Sequence, residues 1–350
     1  MFALGVQTLC AQTLAPGFDS KEYIDLLSLL AQTDENPQRE VVAIPESYRL
    51  AYKSESMGFD NQWSLWANDN NQAVIAVRGS TQSPISWLSN AYEVMIPAKG
   101  RLTLTDKGPV PYQFAVHPAA NVHVGWAMGT EFLMPDIRAK IDSCYQKGVR
   151  DFYITGHSQG GAISYLLTAA LRSAQVSGTL AADIHFKTYA SASPKVGNLY
   201  FAYEFEKLTQ DGWAYNIVNP LDWVAEMPFS IQTTKDFNPL NPFPLMERAI
   251  ANQGFFKRIL FRHYYNQLDK PSKKSQRKMQ KLLGKTVFKF IQKERPEIAE
   301  PVYVASNHYV RTGINRVLNP QASYFAKFPQ NPKNPFINHS YQAYLFLAKE

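Results

Sequence analysis

The sequence predicts an α/β fold built on a mostly parallel central sheet with helices on both faces. Two observations carry this. Between Asn121 and Asn219 short β-rich runs alternate with helical patterns, as successive strand–helix units of a parallel sheet do. One of these units contains "YITGHSQGGAISYLL", Tyr153 to Leu167, where an apolar run passes through a glycine-flanked serine straight into a helical pattern. With 350 residues, 45% hydrophobic and 13% aromatic, the chain can bury one large core, so a single domain with embellishments is expected.

Taken in order, the start "MFALGVQTLCAQ" has a short apolar stretch without a basic segment before it. It reads either as the remnant of a trimmed signal peptide or as a leader, which sets residues 1–18 apart from a domain over 19–350 and favours a secreted or cell-envelope location slightly over a cytoplasmic one. No run approaches the roughly 18 apolar residues that cross a bilayer. Two cysteines, Cys10 and Cys144, argue against a disulfide framework. "DSKE" matches a capping box, with Asp19 as N-cap and Glu22 three residues on, and Tyr23, Leu26, Leu27 and Leu30 form one apolar face behind it. Two strands, Trp63 to Ala67 and Gln72 to Arg78, flank an Asn/Asp turn and make a hairpin. Thr81 to Asn121 reads as irregular. Then come the strand "NVHVGW", a helix through Tyr145, the strand "DFYIT", a helix from Gly160, the strand "IHFKTYA", a helix over Leu199 to Leu208 and the strand "AYNIVN".

The chemistry starts at "GHSQG". Gly156 and Gly160 flank Ser158 at the spacing G-x-S-x-G, after a strand and before a helix, the context that a nucleophile elbow requires. Side chains at either glycine would collide with neighbouring backbone. Ser158 is expected in a strained conformation with its hydroxyl exposed and a helix N-terminus behind it to favour developing negative charge. A serine nucleophile needs a base and the base needs a carboxylate, which in such folds come in the order Ser, Asp or Glu, His. Downstream stand His185, His263, His308 and His339, of which His185 falls inside a strand.

At these residues the chain resembles the class 3 (fungal-type) lipases. "VIAVRGSTQSPISWL", "VHVGW", "ITGHSQGG", "SASPKVGN", "IVNPLDWVAEMP" and a late "NHSYQAYL" look like that family's motifs in order. The resemblance implies an α/β-hydrolase fold acting on acylglycerols or related esters. It carries the nucleophile to Ser158, the acid to Asp222 and the base to His339, with His157 inside the elbow and the oxyanion hole at Ser80 and Gln159. Residues alone leave Glu226 in reserve for Asp222 and His308 as rival to His339. His123 and Gly125 match an H-x-G element read as packing. The stretch "PISWLSNAYEVMIPAKG", Pro84 to Gly100, stands where the family has a lid, and its apolar residues serve equally as core. Asn90 replaces an acidic residue common there, which leaves a lid salt bridge without its carboxylate.

Between Asp222 and His339 lie 116 residues, a helical insertion placed at about 229–300, before the histidine. From Phe255 to Arg295 there are 13 Lys plus Arg against 2 Asp plus Glu, and 23 against 27 elsewhere, so the net +7 of the chain comes from this segment. Met279, Leu282, Leu283, Thr286, Val287, Phe290 and Ile291 fall at helical spacing, with Lys278, Lys281, Lys285, Lys289 and Lys293 on other faces. An amphipathic basic helix suits peripheral contact with an anionic lipid surface, and equally a solvated helix packed by its apolar stripe. No nucleic-acid motif accompanies the charge, so no nucleic acid is expected. No metal or cofactor is expected either, since no metal-ligand cluster and no phosphate loop is present in the sequence. The function expected is a serine ester hydrolase, most simply a lipase. Phospholipase A1, a short-chain carboxylesterase and a non-catalytic lipid-surface protein are the alternatives.

Overall fold

Seven strands form the main sheet in an order that matches the chain: β1 (Tyr48–Lys53), β2 (Trp63–Asn68), β3 (Gln72–Val77), β4 (Asp151–His157), β5 (His185–Ser191), β6 (Ala214–Val218) and β7 (Ile314–Val317). The computed structural model describes residues 14–33, 41–238 and 240–350. β1 to β3 are joined by antiparallel pairings, and from β3 to β7 every pairing is parallel. This is the mostly parallel α/β sheet the alternation predicts.

Both faces of the sheet are covered. In β3, Ala73, Ile75 and Val77 point into one core while Val74 and Ala76 point into another, the period-two alternation of a strand buried on both sides. The first core is closed by α3 (Val124–Gln146), α4 (Gln159–Val176) and α5 (Leu199–Leu208). The second is closed by α1 (Ser20–Ala31) and by the last helices of the chain, Ala322–Lys327 and Tyr341–Lys349. α1 is fixed there by polar contacts as well: the Glu22 carboxylate accepts from Lys187 Nζ at 2.5 Å, from the Tyr189 hydroxyl at 2.5 Å and from the Tyr153 hydroxyl at 2.8 Å. The expected capping box is therefore half formed. Asp19 Oδ1 accepts the Glu22 N–H at 2.9 Å, but the Glu22 side chain reaches into the sheet and leaves the Asp19 N–H to the Tyr189 hydroxyl.

Four other expectations shift. The packed chain begins before Asp19: Leu14 is buried and Phe18 sits against Tyr23, Tyr189 and Tyr215, whereas the leader up to Thr13 and Cys10 lies outside the described residues. "NVHVGW" is a strand only over Asn121–His123, and it pairs with Met95–Pro97 outside the main sheet. α3 starts at Val124 because His123 Nδ1 accepts the Trp126 N–H, and because Gly125 lies so near the Ser89 carbonyl that a Cβ would meet it at 2.0 Å. The stretch read as irregular holds the helix α2 (Pro84–Ala91) and two small antiparallel ladders.

The basic insertion is helical, as α6 (Pro242–Ala251), α7 (Phe255–Met279) and α8 (Val287–Glu294), but not with the predicted stripe. A π-helical stretch, Gln280–Thr286, joins α7 to α8 and rotates the faces of α8 relative to those of α7. Gly284, Val287, Phe288 and Ile291 are buried, while Leu282 and Phe290, expected inside, are exposed. Among the described residues no helix is long and apolar enough to cross a membrane.

Candidate active site

β4, the central strand, delivers Ser158 to the carboxyl end of the sheet, and the turn that receives it is forced by packing. A Cβ on Gly156 would lie 2.1 Å from the Gly160 carbonyl oxygen, and one on Gly160 2.3 Å from that of Val77. Ser158 takes φ 59°, ψ −127°, the strained left-handed conformation expected of it, and is N-cap of α4. Its N–H donates to the Ser191 carbonyl at 3.0 Å, which ties the turn to β5.

The distant histidine returns to this point. His339 and Ser158 line one cavity of about 760 Å³, with Ser80, Gln159 and mostly aromatic and aliphatic side chains around them. Asp222 caps a short helical turn after β6 through the Val224 N–H, 2.9 Å, and its other oxygen accepts from His339 Nδ1 at 2.7 Å and from the Tyr344 hydroxyl at 2.8 Å. In the tautomer that donates from Nδ1 to this carboxylate, the lone pair of the neutral ring lies on Nε2. No hydrogen bond joins Ser158 Oγ to that ring among the described residues, a looseness common in ligand-free sites. Glu226 lies four residues on, at the end of the helical turn, where its charge acts on Lys195. His308 is half-buried near Asp236 and Lys195 and does not line the cavity.

Several positioning groups act through contacts that the sequence does not show. His157, beside the nucleophile, is buried and held neutral, its pKa driven well down by burial and by His339. Its Nε2 donates to the His339 carbonyl at 2.7 Å and its Nδ1 meets Ser191 Oγ at 3.0 Å, so the elbow also holds the histidine loop. Asn219 donates its N–H to the Tyr344 hydroxyl and its side-chain amide to Tyr324 and to the Asn338 carbonyl, joining the loops of Asp222 and His339.

Asn90 organises the opposite side. Its Oδ1 accepts from Gln159 Nε2 at 2.9 Å and Trp126 Nε1 at 3.0 Å, and its Nδ2 donates to Ser80 Oγ at 2.8 Å. With Oγ occupied as acceptor, the Ser80 O–H is left to donate. Below Ser80, Arg78 binds Asp60 Oδ1 at 2.9 Å, and Thr81 binds the other oxygen at 2.5 Å. Burial opposes the Asp60 carboxylate, but Ser56, Thr81 and Arg78 outweigh it and hold its pKa below the ordinary value. His123 is fully buried, stacked 3.6 Å from the Trp126 ring and outside the cavity lining, which is a packing position, and burial pushes its pKa down to about 3. Glu93 also lines the cavity, and burial raises its carboxyl to about 7. Within Pro84 to Gly100, Trp87 edges the cavity half-exposed, whereas Tyr92, Val94, Met95 and Ile96 are core.

A five-strand parallel run with its serine on a strained strand-to-helix turn is an α/β-hydrolase arrangement. The family model described as lipase (class 3) matches residues 74–232. That match covers just under half of the chain, and it supports a carboxylic ester hydrolase of lipase type. No curated protein sequence matches the chain. Among solved structures it is similar to a fungal lipase in complex with an inhibitor, at 20% identity over 60% of this chain and 74% of that one, TM-score 0.46. It is also similar to the triacylglyceride lipase of Rhizomucor miehei, 19% identical over 61% and 77% of the two chains, TM-score 0.43, and to lipase II of Rhizopus niveus, 16% over 60% and 74%, TM-score 0.41.

Asn90 offers a test of the donor side. Asn90→Ala removes the link between Ser80 and Gln159, and kcat on p-nitrophenyl butyrate is expected to fall about tenfold with little change in KM, since oriented donors act mainly on the transition state. An unchanged kcat would remove Asn90 from the positioning of these groups.

Proposed function

We propose that this protein cleaves acyl esters of glycerolipids through an acyl-enzyme at Ser158. His339 Nε2 takes the Ser158 proton as Oγ attacks the ester carbonyl. Asp222 holds the imidazole in the tautomer that makes this possible and offsets the charge it acquires. The tetrahedral oxyanion receives the Gln159 N–H, a first-turn donor with no partner inside its helix, and donors from Ser80. His339 then returns the proton to the departing alcohol, and water, activated by the same ring, releases the fatty acid. The observation that carries this reading is the 2.7 Å contact between His339 and Asp222, placed by chain segments 117 residues apart at the cavity that Ser158 lines. Apolar walls built from Trp87, Trp223, Met227, Phe336 and Ile337 favour a long acyl group over a polar substrate. A hydrolysis panel of tributyrin, triolein, phosphatidylcholine and a soluble p-nitrophenyl ester tests it. Release of fatty acid from triolein or phosphatidylcholine is expected, and turnover of the soluble ester alone would reassign the protein to the short-chain esterases.

The insertion supports a second part of the proposal, contact with an anionic lipid surface. Along α7 exposed Phe255, Phe256, Ile259, Leu260 and Phe261 lie among Lys257, Arg258 and Arg262, and Lys270, Lys274, Arg277 and Lys278 come after them. Apolar groups that enter an interface beside cations that meet its phosphates are the two components of peripheral binding, worth up to about 1 kcal/mol per well-placed cation. Vesicles with phosphatidylglycerol are expected to sediment the protein at low salt. The variant carrying Lys274→Gln, Lys278→Gln, Lys281→Gln and Lys285→Gln is expected to bind about tenfold or more weakly, with less salt dependence. Equal binding by both proteins at all salt concentrations would leave the insertion a structural embellishment.

A further inference from the structure

A second apolar groove adjoins the catalytic cavity. It measures about 450 Å³ and runs between α2 and α8, lined by Pro84, Trp87, Leu88 and Ala91 on one side and Phe290 on the other, with Lys293 and Glu294 at its rim. Residues 84, 87, 88 and 91 form one helical stripe, and 87, 90 and 91 the stripe beside it that faces Ser158, so Trp87 and Ala91 are walls of both spaces. The far wall is firm. Val287, Phe288 and Ile291 anchor α8 in the core, and the Phe288 ring stacks on Tyr92 with centroids 6.1 Å apart. The π-helical turn before α8 rotates Phe290 out of that core, so that Phe290, 51% exposed, and Trp87, 48% exposed, bound an open apolar slot.

We infer that this groove binds a second acyl chain of the substrate, while the chain being cleaved occupies the cavity at Ser158; the inference rests on the ester-hydrolase reading above and narrows it to lipids with two or more chains. Polar atoms of the groove's side chains are confined to Lys293, Glu294 and the Trp87 indole, so an extended peptide would leave its backbone groups unpaired there, at a cost that a hydrocarbon chain does not incur. Continuity through Trp87 and Ala91 means that a glycerol backbone at the cavity mouth can send one chain to each side of α2. The site is absent without α8, so it belongs to the insertion and not to the elbow and sheet.

Phe290→Glu places a charge in the groove at an exposed position, outside the catalytic and positioning groups. On dioleoylglycerol in mixed micelles kcat/KM is expected to fall about tenfold, through KM, while p-nitrophenyl butyrate and monoolein in the same micelles change less than about twofold. Phe290→Leu should restore most of the loss. Equal behaviour of wild type and Phe290→Glu on all three substrates overturns the inference. So does an equal loss on monoolein, which would assign Phe290 to interface attachment, or a loss on the butyrate ester, which would make it a brace for α2. Failure of the wild type to turn over p-nitrophenyl butyrate would instead count against the hydrolase reading itself.

Discussion

Ser158→Ala is expected to abolish ester hydrolysis, lowering kcat by roughly 10⁴-fold or more while the protein stays folded. The loss is large because Oγ is the atom that bonds to the acyl carbon, and neither Ser80 nor Gln159 can replace it. The fold is spared because the substitution removes one oxygen from a position where the conformation is set by its neighbours. Ala bears the φ of 59° with about the same strain as Ser, and the 3.0 Å hydrogen bond from its N–H to the Ser191 carbonyl remains. Thermal melting within about 2 °C of wild type, beside lost turnover, is the predicted pair of results. Turnover near wild type would end the serine mechanism.

His339→Ala is expected to be about as damaging, because members of a nucleophile–base unit act together and removing either removes most of the rate. His308→Ala is the control, with activity expected within about threefold of wild type. The contrast comes from placement. His339 meets Asp222 at 2.7 Å and lines the cavity with Ser158, whereas the backbone N–H of His308 meets Ser306 Oγ and its ring is depressed by burial near Lys195. Asp222 would keep its contacts with Tyr344 and Val224 in the His339→Ala protein, so the loss should appear in kcat more than in stability. A dead His308→Ala protein with an active His339→Ala protein would reverse the assignment.

Legibility in the sequence is local. The strand, the glycines and the helix around Ser158 occupy fifteen consecutive residues, so the turn and its strain are readable from spacing alone. The alternation from Asn121 to Asn219 is readable because parallel strands buried on both faces are apolar runs. Asn90, Tyr344 and Asn219 are not readable, since each acts through partners far along the chain, as with Tyr344 and Asp222, which stand 122 positions apart. His157 looks like a motif filler until His339 returns to its ring from 182 residues away. The predicted stripe through Leu282 and Phe290 fails for a different reason: a π-helical turn shifts the helical phase without any mark in composition, and the same shift creates the groove. "NVHVGW" alternates like a strand, and the helix cap from His123 together with the close approach of Gly125 to Ser89 ends that strand after three residues.

The most direct test is covalent. Incubation with a fluorophosphonate, then digestion and mass spectrometry, reads which side chain is the activated nucleophile without any assumption about the lipid. One adduct is predicted, on the peptide containing Ser158, with labelling lost in Ser158→Ala and strongly slowed in His339→Ala. Absence of labelling in the folded wild-type protein, or an adduct on any other serine, would contradict the assignment of Ser158 as nucleophile.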